Sequence, residues 1–175
     1  MPLYSFEGKS PRVHPTAFIA PTATLVGDIV VEEHASVWYN AVIRADFNPV
    51  LIRAGANIQD GSVIHSSIMA PTEVRLRATV GHLCVIHGAL LEEECLIANG
   101  ATVLDGAKIG ARSLVAAGAV VPPGMEVPEG VLVMGVPATI KGPLAGTAAE
   151  AWVKGNPQIY PALAQRHRLG IAPLP

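Results

Sequence analysis

Along most of this chain an aliphatic residue recurs at every sixth position: Val13, Ile19, Leu25, Val31, Val37 and Ile43, then Ile52, Ile58 and Ile64, then Val74, Val80 and Ile86. After one five-residue step the series resumes at Leu91, Ile97, Val103, Ile109, Val115, Val121, Val127 and Val133. A period of six fits neither an amphipathic helix nor a long alternating strand, and it marks a solenoid of hexapeptide repeats. The fourth residue after the aliphatic is usually small, as at Ala23, Ala41, Ala56, Ser62, Ala78, Cys84, Cys95 and Ala101. Each repeat is thus a short strand and a tight corner, with the aliphatic filling a narrow interior and the small residue fitting where the backbone bends. Three such sides close one coil of a triangular prism. Parallel coils stack about 4.8 Å apart, so residues three repeats apart are vertical neighbours.

Counting repeats turns three histidines into a geometric statement. His65 and His87 each follow the aliphatic by one, and their repeats are three steps apart, so both point outward from one face in adjacent coils. Two imidazoles placed so can share one ion at Zn–N distances of about 2.0–2.1 Å. His82 follows Val80 by two, on the preceding face, with the solid interior between it and the pair. A three-histidine site therefore needs His82 from a second copy, most economically in a closed cyclic trimer with three equivalent interface sites. The same counting puts Arg44 beneath His65 and Asp60 beneath His82, with Asn57 and Gln59 at the corner before Asp60. Asp46 falls at a bulge where the repeat slips through Phe47, Asn48 and Pro49. His14, His34 and His167 are expected to lack stacked partners.

The stretches Ile43-Arg-Ala-Asp46 and Asn57-Ile-Gln-Asp-Gly61, followed by His65 and Gly81-His82 through His87-Gly88, resemble the γ-class carbonic anhydrases, and the resemblance covers nearly the whole chain. It implies a left-handed parallel β-helix, a homotrimer, and Zn²⁺ (with Fe²⁺ or Co²⁺ as alternatives) bound by His65 and His87 of one subunit and His82 of the next. The implied activity is reversible hydration of CO₂ to bicarbonate, a lyase reaction. In the family, residues matching Arg44 and Asp46 form an intersubunit ion pair, those matching Gln59 and Asn57 help to place water and substrate, and Tyr160 matches a tyrosine of the C-terminal helix that approaches the site. The chain departs from the family pattern between the first two ligands, where only Ser66 to Gly81 intervenes with Glu73 as its one acid. Phe47 stands where a second acid follows the Asp, and Ala45 stands where glycine is usual. The missing acidic loop predicts slow proton export, and Val74-Arg-Leu-Arg77 predicts a local irregularity in the coil.

Composition agrees with a filled narrow prism. The chain has 175 residues, half of them hydrophobic but only 5% aromatic, enough for one domain with a substantial core. A formal net charge of −2 gives no basic footprint for nucleic acid. No apolar run opens the chain and no uninterrupted apolar stretch is long enough to span a bilayer, so a cytoplasmic protein without membrane contact is expected. Cys84 and Cys95 occupy corner slots on different faces and read as small buried hydrophobes.

The β-helix is expected over residues 1–142, with 143–175 a helical segment packed along it. Two helical pieces are predicted, Thr147 to Lys154 and Pro157 to Arg168, broken at Gly155-Asn156-Pro157 and docked through Ala151, Trp152, Ile159, Leu163 and Leu169; Ile171 to Pro175 is expected to fray. Two other functions share the repeat: an acyltransferase or thioesterase of hexapeptide type, and a non-catalytic metal-binding or assembly trimer. Acyl transfer does not require three matched histidines, whereas the assembly trimer is compatible with an intact ligand set that is silent as an anhydrase.

Overall fold

A computed structural model describes residues 2–174. Pro175, the last residue of the expected frayed end, lies outside them, while Ile171 to Leu174 form no regular element. The chain winds into a left-handed parallel β-helix of about seven turns, followed by a single C-terminal helix.

The register confirms the vertical stacking residue by residue. On one face Leu25 pairs with Ile43, Ile43 with Ile64, Ile64 with Ile86, Ile86 with Val103 and Val103 with Val121. A second face stacks Ile19, Val37, Ile58, Val80, Ile97, Val115 and Val133, and a third stacks Val13, Val31, Ile52, Val74, Leu91, Ile109 and Val127. These columns form the core, and nearly every member is fully buried. The small corner residues are buried with them, because a larger side chain would collide with the next coil. Cys84 and Cys95 are free and buried as expected, and burial pushes both thiols up from their ordinary range.

The third residue after the aliphatic turns each corner through a left-handed conformation, as at Asn40, Gly61, Leu83 and Gly100. Glycine or asparagine adopts it without strain; Leu83, at φ +57°, does not. The coil departs from six residues three times, always at the edge that follows Ile43, Ile64 and Ile86. At the first, Gly27 pairs with Ala45 and Ile29 with Val50, so Asp46 to Pro49 bulge out opposite Asp28 alone. The strand Val42–Ile52 runs through that bulge and joins two faces into one sheet. The second departure is the loop between the strands Val63–His65 and Thr72–Val74; the third is the five-residue step from Val85–His87 to Leu90–Leu91. Val74 to Arg77, expected to be irregular, follows the repeat, with Arg77 in the left-handed corner position and Arg75 and Arg77 paired with Glu92 and Glu94.

The tail differs from expectation. One helix runs unbroken from Ala148 to Gly170 through both Pro157 and Pro161. Each proline removes a backbone donor, but Pro157 is buried against the prism with Val153 and Ala164, and this packing outweighs the lost bonds. The docked face is Val153, Pro157, Tyr160, Ala164 and His167. Of the expected contacts, Leu163 packs on the core, whereas Ala151, Trp152, Ile159 and Leu169 face outward. His167, expected to be without partners, sits among Phe18, Trp38 and Tyr39, its ring 4.9 Å from Trp38 and its Nδ1 3.0 Å from the Tyr39 hydroxyl. The sequence count missed it because its partners come from another element. Among the described residues no helix is long and apolar enough to cross a membrane.

Candidate metal centre

The column that begins at Arg44 carries the first half of the site. Arg44 pairs in register with His65, and His65 with His87, so the three side chains leave the same face in successive coils. The two imidazole centroids are 5.0 Å apart. His87 is held through Nδ1, which lies 2.9 Å from Asp105 Oδ2. His65 is held through Nε2, 2.8 Å from Asp46 Oδ1, and the other oxygen of Asp46 pairs with Arg44 of the same chain. Burial raises the Asp46 carboxyl, but hydrogen bonds from His65 and Arg44 outweigh it and hold the group below the ordinary carboxylate range.

The second half stands at another corner. His82 follows the strand Thr79–Val80, and its Nδ1 lies 2.9 Å from Asp60 Oδ2, the neighbour that repeat counting placed beneath it. Its backbone N–H donates to Asn99 Oδ1 at 3.1 Å. That bond explains Gly81: a Cβ there would sit 2.7 Å from Asn99 Oδ1 and 2.8 Å from the Ile97 carbonyl. Asn57 is fully buried, donating through Nδ2 to Thr79 Oγ1 and accepting from Gln59 Nε2 at 3.1 Å. Both ends of its amide are thus engaged within the chain. Gln59, 4% exposed, is oriented by this bond so that its carbonyl oxygen remains available. A groove of about 360 Å³ opens beside His82 between the prism and the helix, with Gln59, Leu96, Leu114, Trp152 and Tyr160 in its walls. The helix sets half-buried Tyr160 there, and burial together with the negative charge of Asp60 raises its phenol.

Within one chain the halves stay apart: among the described residues no group of three or more histidine, cysteine or acidic side chains could hold a metal. The donor chemistry nonetheless fits a divalent ion. His82 and His87 each give Nδ1 to a carboxylate, which fixes the tautomer and leaves the Nε2 lone pair free to ligate. Ligation through Nε2 of His65 requires that ring to exchange its bond with Asp46. Asp105 and its neighbour Ser67 were missed by the sequence reading. Register would have revealed them, because Val103 lies above Ile86 and so Asp105 lies above Gly88.

Coil and corner chemistry together define a hexapeptide-repeat β-helix protein with histidines facing outward from two of its faces. Comparison with known proteins makes the class specific. The chain is 41% identical over 108 residues to a carbonic anhydrase of Geobacillus kaustophilus and 37% identical over 165 residues to the mitochondrial γ-carbonic anhydrase 1 of Arabidopsis thaliana. The alignments cover 62% and 91% of this chain, and 59% and 60% of those two proteins. It is also 39% identical over 138 residues to the carnitine operon protein CaiE of Escherichia coli, covering 79% of this chain and 70% of that one. Among solved structures, a putative acetyltransferase of Bacillus cereus superposes with a TM-score of 0.92 at 32% identity, over 95% of this chain and 96% of that one. A hexapeptide transferase family protein of Anaplasma phagocytophilum gives 0.88 at 33%, over 94% and 96%. No family model matches the chain. The chain belongs to the γ-class carbonic anhydrase family of hexapeptide-repeat proteins.

Proposed function

We propose that this protein hydrates CO₂ reversibly to bicarbonate and a proton, at metal sites shared between the subunits of a homotrimer. The observation that carries the reading is the pairing of ligand and orienting carboxylate at His82 with Asp60, repeated at His87 with Asp105, on faces that cannot meet within one chain. A Zn²⁺ ion held by His65 and His87 of one copy and His82 of the next, with Fe²⁺ or Co²⁺ as alternatives, would lower the pKa of water to about 7 and so supply a nucleophile at neutral pH.

The chain's own residues do the rest. Gln59, locked by Asn57, presents a carbonyl that accepts from the attacking water and fixes its orientation; Asn57 acts through Gln59. Arg44 keeps the Asp46 carboxylate ionised, so that it can accept a hydrogen bond beside His65. Apolar Leu96 and Leu114 and the ring of Tyr160 wall the approach and favour a small uncharged substrate over bulk water. Val42, Val63 and Val85 form an outward stripe two residues before Arg44, His65 and His87, each about a third exposed. Aliphatic side chains at that register, together with exposed Leu83 and Phe47, are suited to a contact between copies.

The test is stopped-flow CO₂ hydration by trimer loaded with Zn²⁺, or anaerobically with Fe²⁺, beside His82→Ala. Hydration that depends on metal and vanishes in the variant supports the reading. A fully metallated trimer without hydration overturns it in favour of an assembly role. Acetyl-CoA turnover that survives chelation would instead point to acyl transfer, the activity named for the Bacillus cereus neighbour.

A further inference from the structure

The geometry points to Asp105 as the residue that positions His87 for metal. This inference rests on the metal-site reading above.

The imidazole of His87 has two ring nitrogens, and only the one without a proton can ligate. Its Nδ1 lies 2.9 Å from Asp105 Oδ2, so the ring donates there and turns the Nε2 lone pair outward. The same carboxylate shares the space over Gly88 with Ser67, which stands two residues after His65 and begins the loop of Ser67 to Ala70. Ser67 Oγ in turn accepts from the backbone N–H groups of Met69 at 3.2 Å and Ala70 at 3.1 Å. One carboxylate therefore holds His87 in one coil and stands against the loop that follows His65 in the coil below.

The backbone around it is built for this. Gly106 N donates to the Gly88 carbonyl at 2.7 Å, and Gly124 N donates to the Asp105 carbonyl at 2.9 Å, so the corner is pinned from both sides. The space it needs is kept by Gly88. A Cβ there would lie 2.7 Å from Asp105 Oδ1 and 2.8 Å from Ser67 Oγ. His82 and Asp60 use the same arrangement at the other corner, but their carboxylate comes from the coil below and Asp105 from the coil above. His87 is thus the ligand whose orientation depends on a residue beyond the Arg/Asp and Asn/Gln/Asp stretches.

The experiment loads the full-length protein with Co²⁺ and measures dissociation by chelator competition, together with the visible Co²⁺ spectrum and the hyperfine-shifted ring N–H protons. We compare the wild type with Asp105→Ala, Asp105→Asn and Gly88→Ala. Asp105→Ala should weaken metal binding about 10- to 100-fold and lose the His87 Nδ1–H resonance to solvent exchange. Asp105→Asn should restore much of the affinity, because its carbonyl still accepts from Nδ1–H, a rescue that a merely structural corner residue would not tie to the resonance. Gly88→Ala presses on Asp105 and also strains a left-handed backbone at φ +56°, so it is read against Gly118→Ala, which carries the same strain at φ +68° in open space; weaker binding in the first alone keeps the test valid if the alanine at 105 does not fold. Unchanged affinity and an unchanged His87 resonance in folded variants would overturn the role of Asp105. A wild-type chain that takes up no ion fails differently: it overturns the metal reading and Asp105's role with it.

Discussion

The same edge of the prism looks different at its two ends. Beyond Val103 the chain steps from Val103 to Ile109 and from Val121 to Val127 by six residues, with nothing inserted. In the three coils that carry Arg44, His65 and His87, that edge instead holds a bulge, a loop and a shortened step. The buried columns behind it are equally well filled in both regions, so packing does not require the difference. Where the prism only has to stand, the repeat is kept. Where the outward histidines and their carboxylates leave the surface, it is broken, and Asp46 and Ser67 sit on the broken segments.

The largest effect we expect comes from mixing copies. His65→Ala and His82→Ala chains should each lose the metal while remaining folded, because only outward side chains change. Trimers assembled from both should regain some sites where an intact face meets an intact corner. Metal analysis of purified mixed trimers decides this, and no recovery at all would count against sharing.

Next in size is a matched pair of core truncations. Ile86→Val and Ile109→Val both shorten a fully buried side chain and should each cost about 0.5–1.5 kcal/mol in denaturant unfolding. Only the first lies beside a ligand, so only Ile86→Val should also weaken metal binding; equal metal affinity in both would show that the middle coils are no more tightly coupled to the site than the distal ones.

Leu83 offers a smaller effect with an informative sign. Replacing it by glycine relieves roughly 1 kcal/mol of left-handed backbone strain, yet Leu83 is 71% exposed and adjoins His82. We expect weaker assembly in sedimentation despite the relieved backbone; unchanged assembly would remove Leu83 from the contact between copies.

The smallest change concerns the regular end. Lys108 pairs with Glu126 at 3.2 Å across adjacent coils, with both side chains more than half exposed. Lys108→Ala should alter thermal stability by no more than a few tenths of a kcal/mol and leave metal binding untouched. A clear loss of metal would mean that the distal coils are not the passive stack described here.

How much of this was legible in the sequence follows from how local each feature is. The core columns, the shared height of His65 and His87, and the pairing of Asp60 with His82 all follow from counting by six, because a solenoid converts sequence separation directly into height. Asp105 obeys the same count but lies one residue out of the ligand column, and an aspartate before Gly106 reads first as a turn. The unbroken helix was hidden because Pro157 and Pro161 argue locally for a break, and only the prism beneath them supplies the compensating contact. His167 was hidden for the same reason: the aromatic pocket that satisfies it is assembled from Phe18, Trp38 and Tyr39, more than a hundred positions away.

The last strand, Ala138–Pro143, runs antiparallel to Val131–Gly135, reversing the direction kept by every earlier rung. A parallel stack otherwise ends in a row of open backbone donors and acceptors, matched in spacing to the next coil of any other copy. On one of the three faces that template is covered by a strand of opposite polarity, with an irregular register between Leu132 and Val133 and with Lys141 and Pro143 on it, while Val120–Val121 and Glu126–Val127 remain the edges of the other two. The covered edge is a poor seed for end-to-end growth. A fold that could lengthen indefinitely by adding coils thus has one of its three sides closed against another copy.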